Sequence, residues 1–337
     1  MNIDGSNGEG GGQMLRTSLA ISAITGEPLR MGKIRANRPK SGLARQHMKA
    51  VELLAAMTGA EVDGVAEGSR AISFTPHGLP GGDYRLDVGT AGSITLILQA
   101  AIPAALFAAS PTKILLTGGT DVKWSPTIDY LKHVFLPACG LEPHVELKVL
   151  RRGYYPRGGG EVEATISPCK SKGPILLEPG SETTSVQGII YSSNLPSHVP
   201  RRIEEAAMSA LGMPVDIVHE NSDALSPGCG ITLWARRGRG GILGAVSIGE
   251  RGVRSEEVGG GCAKMLKEEM SSGASADVHL GDQLLLPLAL WGGSFSCREL
   301  SLHAKTNIDV IESFLGTRFT VSGSGSLTGV EVKRPYI

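Results

Sequence analysis

The chain has 337 residues, a hydrophobic content of 41% and equal numbers of basic and acidic residues, 33 of each. This length is enough for two domains or for one large domain with an insertion. Because the net charge is zero, a strong overall attraction to nucleic acids or anionic membranes is excluded, so any nucleic-acid site must be local.

The cysteine pattern and the apolar runs indicate where the protein works. The five scattered cysteines contain no C-x-x-C pair, which fits neither a disulfide framework nor a zinc site. The N-terminus is polar and glycine-rich, unlike a signal peptide. The longest apolar run, 94–109, contains Gln99 and Pro103 and is shorter than the ~18 residues that a membrane span needs. We therefore expect a cytoplasmic protein with no membrane partner.

One order of helices and strands recurs along the chain, at a spacing of roughly 80 residues. The first copy has predicted helices at 13–25 and 43–57 and strands at 29–35, 61–65 and 70–74. The second has helices at 92–108 and 126–138 and strands at 113–117, 144–150 and 160–167. A shorter third copy has helices at 282–290 and 307–315 and strands at 294–301 and 318–321.

Residues 184–273 alternate strands and helices of their own between the second and third copies. The predicted helices are 199–211 and 255–270, and the predicted strands are 185–192, 215–219, 230–235 and 243–248. A self-contained α/β segment inside a repeat is typical of a domain insertion. Gly180 and Gly273 are its predicted hinges.

The stretch GSNGEGGGQMLR, residues 5–16, sets five glycines and Glu9 before the first predicted helix. Glycines before a helix N-terminus favour bound phosphate. The stretch matches neither the P-loop nor the dinucleotide-binding pattern. The Glu9 carboxylate would repel phosphate unless a divalent cation lay between them, and oxygen ligands suit magnesium or manganese. The alternative is a tight turn with a solvated acid.

A basic run follows, because residues 29–50 contain seven lysines and arginines and no acid before Glu52. Arg38 lies in a predicted loop, and Gln46 lies near the start of the next predicted helix. Their side chains could converge on the phosphates of a nucleotide or of a nucleic-acid end. The alternative is a solvated basic face.

The predicted starts of later helices carry further polar residues. Thr306 and Asp309 form a capping-box pattern, which places His303 at a strand end just before the last helix. A histidine there could act as a base, nucleophile or ligand. Ser125 and Pro126 are predicted as the cap and first residue of another helix, and residues 279–283 precede the first helix of the third copy. Capping alone is the alternative role.

Several motifs together resemble those of RNA 3′-terminal phosphate cyclases over essentially the whole chain. They are DGSNGEGGGQMLR at 4–16, IRANRPKSGLARQH at 34–47, GTAGS at 89–93, GGTD at 118–121, YPRGGG at 155–160, DQLLLP at 282–287 and HAKTNI at 303–308.

The resemblance implies an α/β (α+β) fold of three repeated βαβαββ units in one large domain, with a smaller α/β domain inserted in the third unit. The implied units are 1–80, 81–168 and 169–183 plus 274–337, and the implied insertion is 184–273. The implied reaction uses ATP and a divalent metal, magnesium or manganese, to convert an RNA 3′-phosphate into a 2′,3′-cyclic phosphate.

The resemblance also implies roles for individual residues. His303 is the expected nucleophile that takes up AMP, and Glu9 is the expected metal-linked carboxylate. The expected phosphate ligands are Arg16, Arg38 and Gln46, and the expected nucleotide and adenosine contacts are Gln99, Pro126, Asp282 and Gln283. His279 stands where better-known bacterial members have a tyrosine that stacks on adenine, which leaves the strictness of the ATP preference open.

Two alternatives remain at this level. One is a catalytically silent cyclase-like protein that serves as an rRNA-processing or scaffold factor. The other is an enzyme similar to enolpyruvyl transferases, which share the repeated architecture and bind phosphorylated small molecules. The expected partner of the cyclase is RNA with a 3′-phosphate end, and the repeated units leave surfaces through which a homo-oligomer could form.

Overall fold

Four four-stranded sheets form the framework of the computed structural model, which describes residues 1–8, 10–180 and 182–336, without the side chains at 184, 239 and 324. Helices cover these mixed sheets, so the predicted α/β (α+β) class is confirmed. In the described part of the chain, no helix is both long and apolar enough to cross a membrane.

The first sheet has the order β1-β2-β4-β3. Its strands are β1 (Asn2–Asp4), β2 (Leu29–Gly32), β3 (Glu61–Asp63) and β4 (Ile72–Thr75), and its helices are α1 (Gly12–Thr25) and α2 (Arg45–Thr58). Strands β1 and β2 are parallel, and the other neighbours are antiparallel.

The second sheet has the same connectivity, in the order β5-β6-β8-β7. Its strands are β5 (Gly82–Asp87), β6 (Thr112–Gly118), β7 (Val145–Arg151) and β8 (Gly160–Ile166). Its helical segments are α3 (Ile94–Leu106), α4 (Ile128–Tyr130), a π-helical turn (Leu131–Phe135) and α5 (Leu136–Ala138). The helix predicted at 126–138 is therefore present, with a π-helical middle.

The other two sheets include the C-terminal strands and the segment predicted as an insertion. The strands β10 (Thr183–Ser193), β11 (Asp216–Asn221), β12 (Gly228–Arg237) and β13 (Ile242–Ile248) form one sheet, with helices α6 (His198–Leu211) and α7 (Ser255–Ser272). The strands β9 (Ile175–Leu176), β14 (Gly293–Cys297), β15 (Thr320–Ser324) and β16 (Leu327–Val332) form the other, with helices α8 (Val278–Trp291) and α9 (Leu302–Leu315). The sequence had not predicted β16. The limits proposed for the three units and the inserted domain stay a prediction.

Two hydrophobic clusters fill the space between sheets and helices. The larger one includes Leu15 and Leu19 of α1, which are fully buried, and α1 packs against α2, α3 and α9. The second joins α6 and α7 to the sheet of β10–β13 through residues such as Ile231 and Leu266. Helix α1, which begins at the glycine stretch, is therefore central to the larger hydrophobic cluster.

Three helices begin elsewhere than the capping patterns predicted. Helix α9 begins at Leu302, because Ser301 Oγ accepts a hydrogen bond from Ala304 N at 3.0 Å. Thr306 lies inside the helix, where its hydroxyl donates to Leu302 O at 2.9 Å. The capping box at Thr306 was therefore wrong, and His303 lies in the first turn of α9 rather than before it.

The starts of α4 and α8 also differ from the predicted ones, because another residue provides the cap. Thr127, not Ser125, caps α4 by accepting from Tyr130 N at 3.2 Å, so Pro126 precedes the helix. Asp277 caps α8 by accepting from His279 N and Leu280 N, each at 3.0 Å. Residues 279–283 therefore lie inside α8 instead of preceding it. In each case an oxygen-bearing residue nearer the true start provides the cap.

All five cysteines are free and buried. Burial raises the pKa of the thiols of Cys139, Cys169, Cys229, Cys262 and Cys297. They are therefore protonated at neutral pH, which makes them poor nucleophiles.

A buried charge cluster joins the second sheet to the sheet of β10–β13. Arg152, whose side chain is 1% exposed, pairs with Asp121 at 3.1 Å, Asp129 at 2.7 Å and Glu220 at 2.7 Å. Its guanidinium also lies 4.4 Å from the centre of the Tyr191 ring. Burial raises the pKa of Asp121 to about 6, although Arg152 opposes the shift. The three carboxylates therefore share one positively charged partner, the guanidinium of Arg152.

Replacing Arg152 by alanine is expected to lower the free energy of unfolding by roughly 3–5 kcal/mol, because buried carboxylates lose their partner. The neighbouring Arg151 pairs with Glu161 at 3.0 Å on the surface, and Arg151→Ala is expected to cost less than about 1 kcal/mol. Urea unfolding of both variants measures the difference. Equal losses would contradict the importance of the buried cluster.

Candidate active site at the glycine loop and His303

A hydrogen-bond chain joins two packed helices, α8 and α9, at the turn that contains His303. Ser301 Oγ donates to the Asp282 carboxylate, whose oxygens lie 2.7 and 2.8 Å away, and caps α9 two residues before His303. Burial raises the pKa of Asp282, and the hydrogen bond from Ser301 opposes this shift. Asp282 therefore fixes the start of α9, whose first turn contains His303.

The glycine loop joins β1 to α1. Gly8 and Gly10 have φ values of 56° and 60°, which glycine adopts without strain. Asn37 Nδ2 donates to Ser6 O at 3.0 Å and to Gly8 O at 3.2 Å, which fixes the loop against the basic run. Gly11 is the N-cap residue of α1 and has no side chain to accept from the first N–H groups of the helix.

Gly11 is where the loop, the basic run and His303 meet. A methyl group added to Gly11 would lie 3.2 Å from Arg38 Nη2 and 3.6 Å from His303 Cε1. A small pocket beside it is lined by Gly11, Gln13, Met14, His303, Thr306 and Asn307. The structure thus brings a half-buried histidine and an arginine to the positive end of a buried helix, an arrangement that favours a phosphoryl group.

One residue further along, a second pair of side chains meets the loop. A methyl group on Gly12 would lie 3.3 Å from Arg16 Nη1 and would clash with His47 Nε2. Arg16 is half-buried, and burial lowers its pKa to about 10, so the guanidinium keeps its charge at neutral pH. Among the described residues, none forms a hydrogen bond or ion pair with it.

His47, which follows Gln46 in the basic run and was expected among the donors that could converge on phosphates, is only 4% exposed. Burial lowers its pKa to about 3, and the charges of Arg16 and Arg35 lower it further. Ala44 N donates to His47 Nδ1 at 3.2 Å, so in the neutral ring Nε2 carries the proton. A histidine inside a basic run at a predicted helix start was the available signal, but its burial depends on tertiary packing.

The expected phosphate ligand Gln46 and the expected nucleotide contacts lie nearer the second sheet. Gln46 is in the first turn of α2, and its Cβ would lie 3.5 Å from a methyl group on Gly92. Pro126 O accepts a hydrogen bond from Thr95 Oγ1 at 2.7 Å, and Gln99 follows Thr95 by one turn of α3. No hydrogen bond between described residues joins Gln99 or Pro126 to His303.

The three expected adenosine residues of α8 lie within its first two turns. His279 is exposed, and its carbonyl accepts from Gln283 Nε2 at 3.3 Å. Gln283 Oε1 is buried and has no hydrogen-bond partner in the described part of the protein. Asp282 binds Ser301 instead of facing open space, so the structure supports a positioning role for it.

Glu9, the predicted metal ligand, lies outside the described residues. Within the described chain, no group of three or more His, Cys, Asp or Glu side chains could hold a metal ion. The described residues alone therefore do not form a protein-only metal site.

Comparison with known proteins identifies the family. The family model for RNA 3′-terminal phosphate cyclase matches residues 7–321. The chain belongs to this family. A cyclase from Methanosarcina barkeri is 46% identical, with 98% of this chain and 99% of that protein covered. Similar proteins with the same name occur in Pyrococcus furiosus, with 45% identity and 95% of both chains covered, and in Nitrosospira multiformis, with 42% identity and 99% and 97% covered.

Family membership confirms the resemblance inferred from the motifs. It favours the cyclase interpretation over that of an enzyme similar to enolpyruvyl transferases. In this chain, the glycine loop and the first turn of α9 are the candidate active site, because Gly11, Arg38 and His303 meet there.

The His47 environment predicts a pH dependence of stability. Between pH 6.5 and about 3 the unfolded chain binds a proton at His47 that the folded protein does not. Stability therefore rises with pH across this window and is lost on acidification. In urea unfolding, the loss between pH 7 and pH 5 is expected to be roughly 1–2 kcal/mol smaller in His47→Gln than in the wild type. Equal losses would contradict a neutral, buried His47.

Proposed function

We propose that this protein converts the 3′-phosphate end of RNA into a 2′,3′-cyclic phosphodiester at the expense of ATP, with His303 as the residue that carries AMP. The observation that supports this most is the meeting of His303, Arg38 and the positive end of α1 at Gly11, in a chain that belongs to the cyclase family.

In the first step a ring nitrogen of His303 attacks the α-phosphorus of ATP. A P–N bond forms, the P–O bond to pyrophosphate breaks, and the imidazole gives up its other ring proton. A neutral imidazole is nucleophilic at pH 7, whereas a lysine must first lose a proton. Arg38 and the N–H groups of α1 stabilise the charge on the phosphoryl oxygens.

In the second step an oxygen of the RNA 3′-phosphate attacks the same phosphorus. The P–N bond breaks, His303 regains a proton, and AMP becomes joined to the RNA end through a diphosphate. In the third step the adjacent 2′-OH attacks the RNA phosphorus, loses its proton and displaces AMP. Without this activation the hydroxyl would have to expel oxide or hydroxide. DNA lacks the attacking hydroxyl, so RNA selectivity is partly chemical.

The adenosine is proposed to lie between the second sheet and α8, held by Gln99, Pro126, His279 and Gln283. The buried Gln283 Oε1 without a described partner is an acceptor that suits the adenine amino group. Asp282 contributes through Ser301. These assignments rest on the resemblance together with the placement of α3 and α8.

A magnesium or manganese ion is proposed to bind at Glu9 and the phosphates of the nucleotide. Since no described cluster could hold it alone, its other ligands would come from the substrate and water. Bound there, the ion would neutralise charge on the departing pyrophosphate.

The cytoplasmic location and the homo-oligomer remain proposals. Five free, buried thiols support a reducing compartment.

His303→Ala is expected to abolish covalent labelling by ATP carrying α-³²P, because the acceptor nitrogen is lost. The wild type is incubated with labelled ATP and magnesium or manganese, denatured, and challenged with acid and alkali. A phosphoramidate is labile in acid and stable in alkali. His77→Ala, which changes a histidine paired with Glu61 on the surface, is the matched control and keeps the label.

If His303→Ala still took up label, the nucleophile would have to be another residue. No label on the wild type with several metals and nucleotides would remove the covalent mechanism and favour the silent rRNA-processing or scaffold alternative.

Gly11→Ala tests whether the space between Arg38 and His303 holds the reacting group. Gly11 has a φ of −90°, so alanine fits the backbone and is expected to cost about 1 kcal/mol of stability as a poorer N-cap. Its methyl group fills the space beside His303, and the adenylylation rate is expected to fall by roughly ten- to hundredfold, because a misplacement of about 1 Å can cost about a hundredfold in rate. Gly32→Ala, whose added methyl meets nothing within 4 Å, is the control. Equal adenylylation rates would place the chemistry elsewhere.

A further inference from the structure

Two exposed aromatic rings lie on neighbouring loops and have no function in the mechanism described so far. Trp124 is 94% exposed and Tyr155 is 80% exposed. Among the described residues, neither ring stacks on another ring or forms a side-chain hydrogen bond. A single exposed apolar side chain is ordinary, but two large rings on adjoining loops indicate a surface that binds another molecule.

The two rings belong to a group of four loops, which lie where the second sheet meets the sheet of β10–β13. We call them the seam loops, and they are residues 119–127, 152–159, 222–227 and 249–254. Thr120 N donates to Gly153 O at 2.9 Å and joins the first loop to the second. Arg157 N donates to Ser226 Oγ at 3.2 Å and joins the second loop to the third. The rings are therefore held on one connected surface.

The backbone at Trp124 is a second sign of function, independent of exposure. Its φ is 64°, in the left-handed region that costs free energy for a residue with a side chain. Ser125 Oγ donates to Val122 O at 2.9 Å and closes the turn around it. Backbone conformations of this kind are concentrated at functional sites, where the surrounding structure enforces them.

The seam loops carry an excess of positive charge in a chain whose net charge is zero. Their exposed basic residues are Lys123, Arg157, Arg251 and Arg254, and their exposed acids are Asp223 and Glu250. Lys123 and Glu250 pair with each other at 2.5 Å, whereas none of the three arginines forms an ion pair with a described residue. Arginine binds phosphate, and every nucleobase has a face that stacks on an aromatic ring. A nucleic-acid strand therefore fits this surface better than an apolar protein segment does.

The seam loops connect to the candidate active site through the loop that precedes α3. A methyl group on Gly158 would lie 2.6 Å from Thr90 O, and one on Gly92 would lie 3.5 Å from Gln46 Cβ. Gln46 belongs to the basic run, in the first turn of α2. A continuous line of contacts therefore leads from the two rings to the basic run at the candidate active site.

We propose that the seam loops bind the unpaired nucleotides that precede the reacting 3′ end of an RNA strand, with bases stacked on Trp124 and Tyr155 and phosphates held by the arginines. The inference rests on the proposed function, because the reacting end sets the direction of the strand. It adds a selectivity for single-stranded ends, since the bases of a duplex already stack on one another. Stacking accepts every base, so little sequence preference accompanies it.

Tryptophan fluorescence tests the stacking directly, because Trp124 is exposed whereas Trp234 and Trp291 are only 7% and 5% exposed. A single-stranded oligoribonucleotide with a 3′-hydroxyl end, which cannot react, is expected to quench the emission of the full-length protein. Trp124→Ala is expected to lose the quenching and to bind a dye-labelled copy of this strand roughly five- to hundredfold more weakly, the usual effect of losing one stacked base. Trp124→Phe keeps a ring and is expected to recover most of the affinity. Tyr336→Ala, which removes an exposed ring outside the seam loops, is the matched control and binds as the wild type does.

Two further binding measurements separate the strand from other occupants. Arg157→Gln is expected to reduce the slope of log affinity against log salt concentration by about 0.7, the contribution of one phosphate contact on a single strand. Equal affinity of folded Trp124→Ala and wild type, or equal wild-type affinity for a blunt duplex of the same length, would overturn the stacking surface. Sedimentation in which Trp124→Ala dissociates a dimer while RNA binding is unchanged would assign the surface to a second copy of the chain and overturn the proposal.

Transfer of AMP from isolated enzyme–AMP connects the surface to the reaction. Trp124→Ala is expected to raise the half-saturating concentration of a 3′-phosphate oligoribonucleotide roughly five- to hundredfold. The half-saturating concentrations of a nucleoside 3′-phosphate, which is too short to reach the rings, and of ATP are expected to stay unchanged. An effect on ATP instead would assign Trp124 to the adenosine site at Pro126, two residues further along, and overturn the proposal.

Binding of the 3′-hydroxyl strand needs no adenylylation, so its outcome is separate from that of the proposed function. Quenching by RNA in a protein that takes up no label from ATP would support the surface and contradict the covalent mechanism. Label on His303 without quenching by RNA would support the mechanism and overturn the surface.

Discussion

The N-terminus of α1 is the constraint on which the rest of the site depends. The first N–H groups of a helix have no intrahelical partner, and Gly11 offers no side chain to accept from them. Because α1 packs against α2, α3 and α9, its orientation is fixed by the larger hydrophobic cluster. The fold therefore directs a set of donors at one point, and the side chains that approach this point add positive charge.

The burial of polar side chains at this site costs free energy when no ligand is bound. Arg16 and His47 are removed from much of their water, and burial lowers the pKa of both. Natural sequences keep such local conflicts at functional sites and compensate for them elsewhere. Here the compensation is the packing of α1 and its neighbours. An anion that binds the folded chain would return part of the lost solvation and raise its stability.

The helices of the first two sheets follow from the sequence, because their apolar residues recur with helical spacing, and Gly26 and Gly59 end α1 and α2. The starts of α4, α8 and α9 could not be predicted as well. Near each start, several residues can serve as caps, and only the tertiary structure decides which oxygen meets an N–H group. Ser301 prevails over Thr306 because Asp282, on another helix, orients it.

The candidate site, too, could be predicted from the sequence only in part. Roles for His303, Arg38 and Arg16 were expected from the family resemblance, and the structure places the first two beside Gly11 and the third beside Gly12. The burial and tautomer of His47 could not be predicted, because they depend on the tertiary packing around it. Gln99 and Pro126 were expected from the resemblance alone, and the hydrogen bond from Thr95 to Pro126 O is information that no local pattern contains.

The buried thiols have a practical consequence for work on this protein. They are distributed over both hydrophobic clusters, with Cys139, Cys169 and Cys297 in the larger one and Cys229 and Cys262 in the other. Alkylating reagents react with thiolates, so each cysteine is shielded both by packing and by its raised pKa until the surrounding structure opens. The rate of modification at each position therefore records how often that part of the chain opens. The native sequence already contains five reporters of local unfolding, with no need for an engineered label.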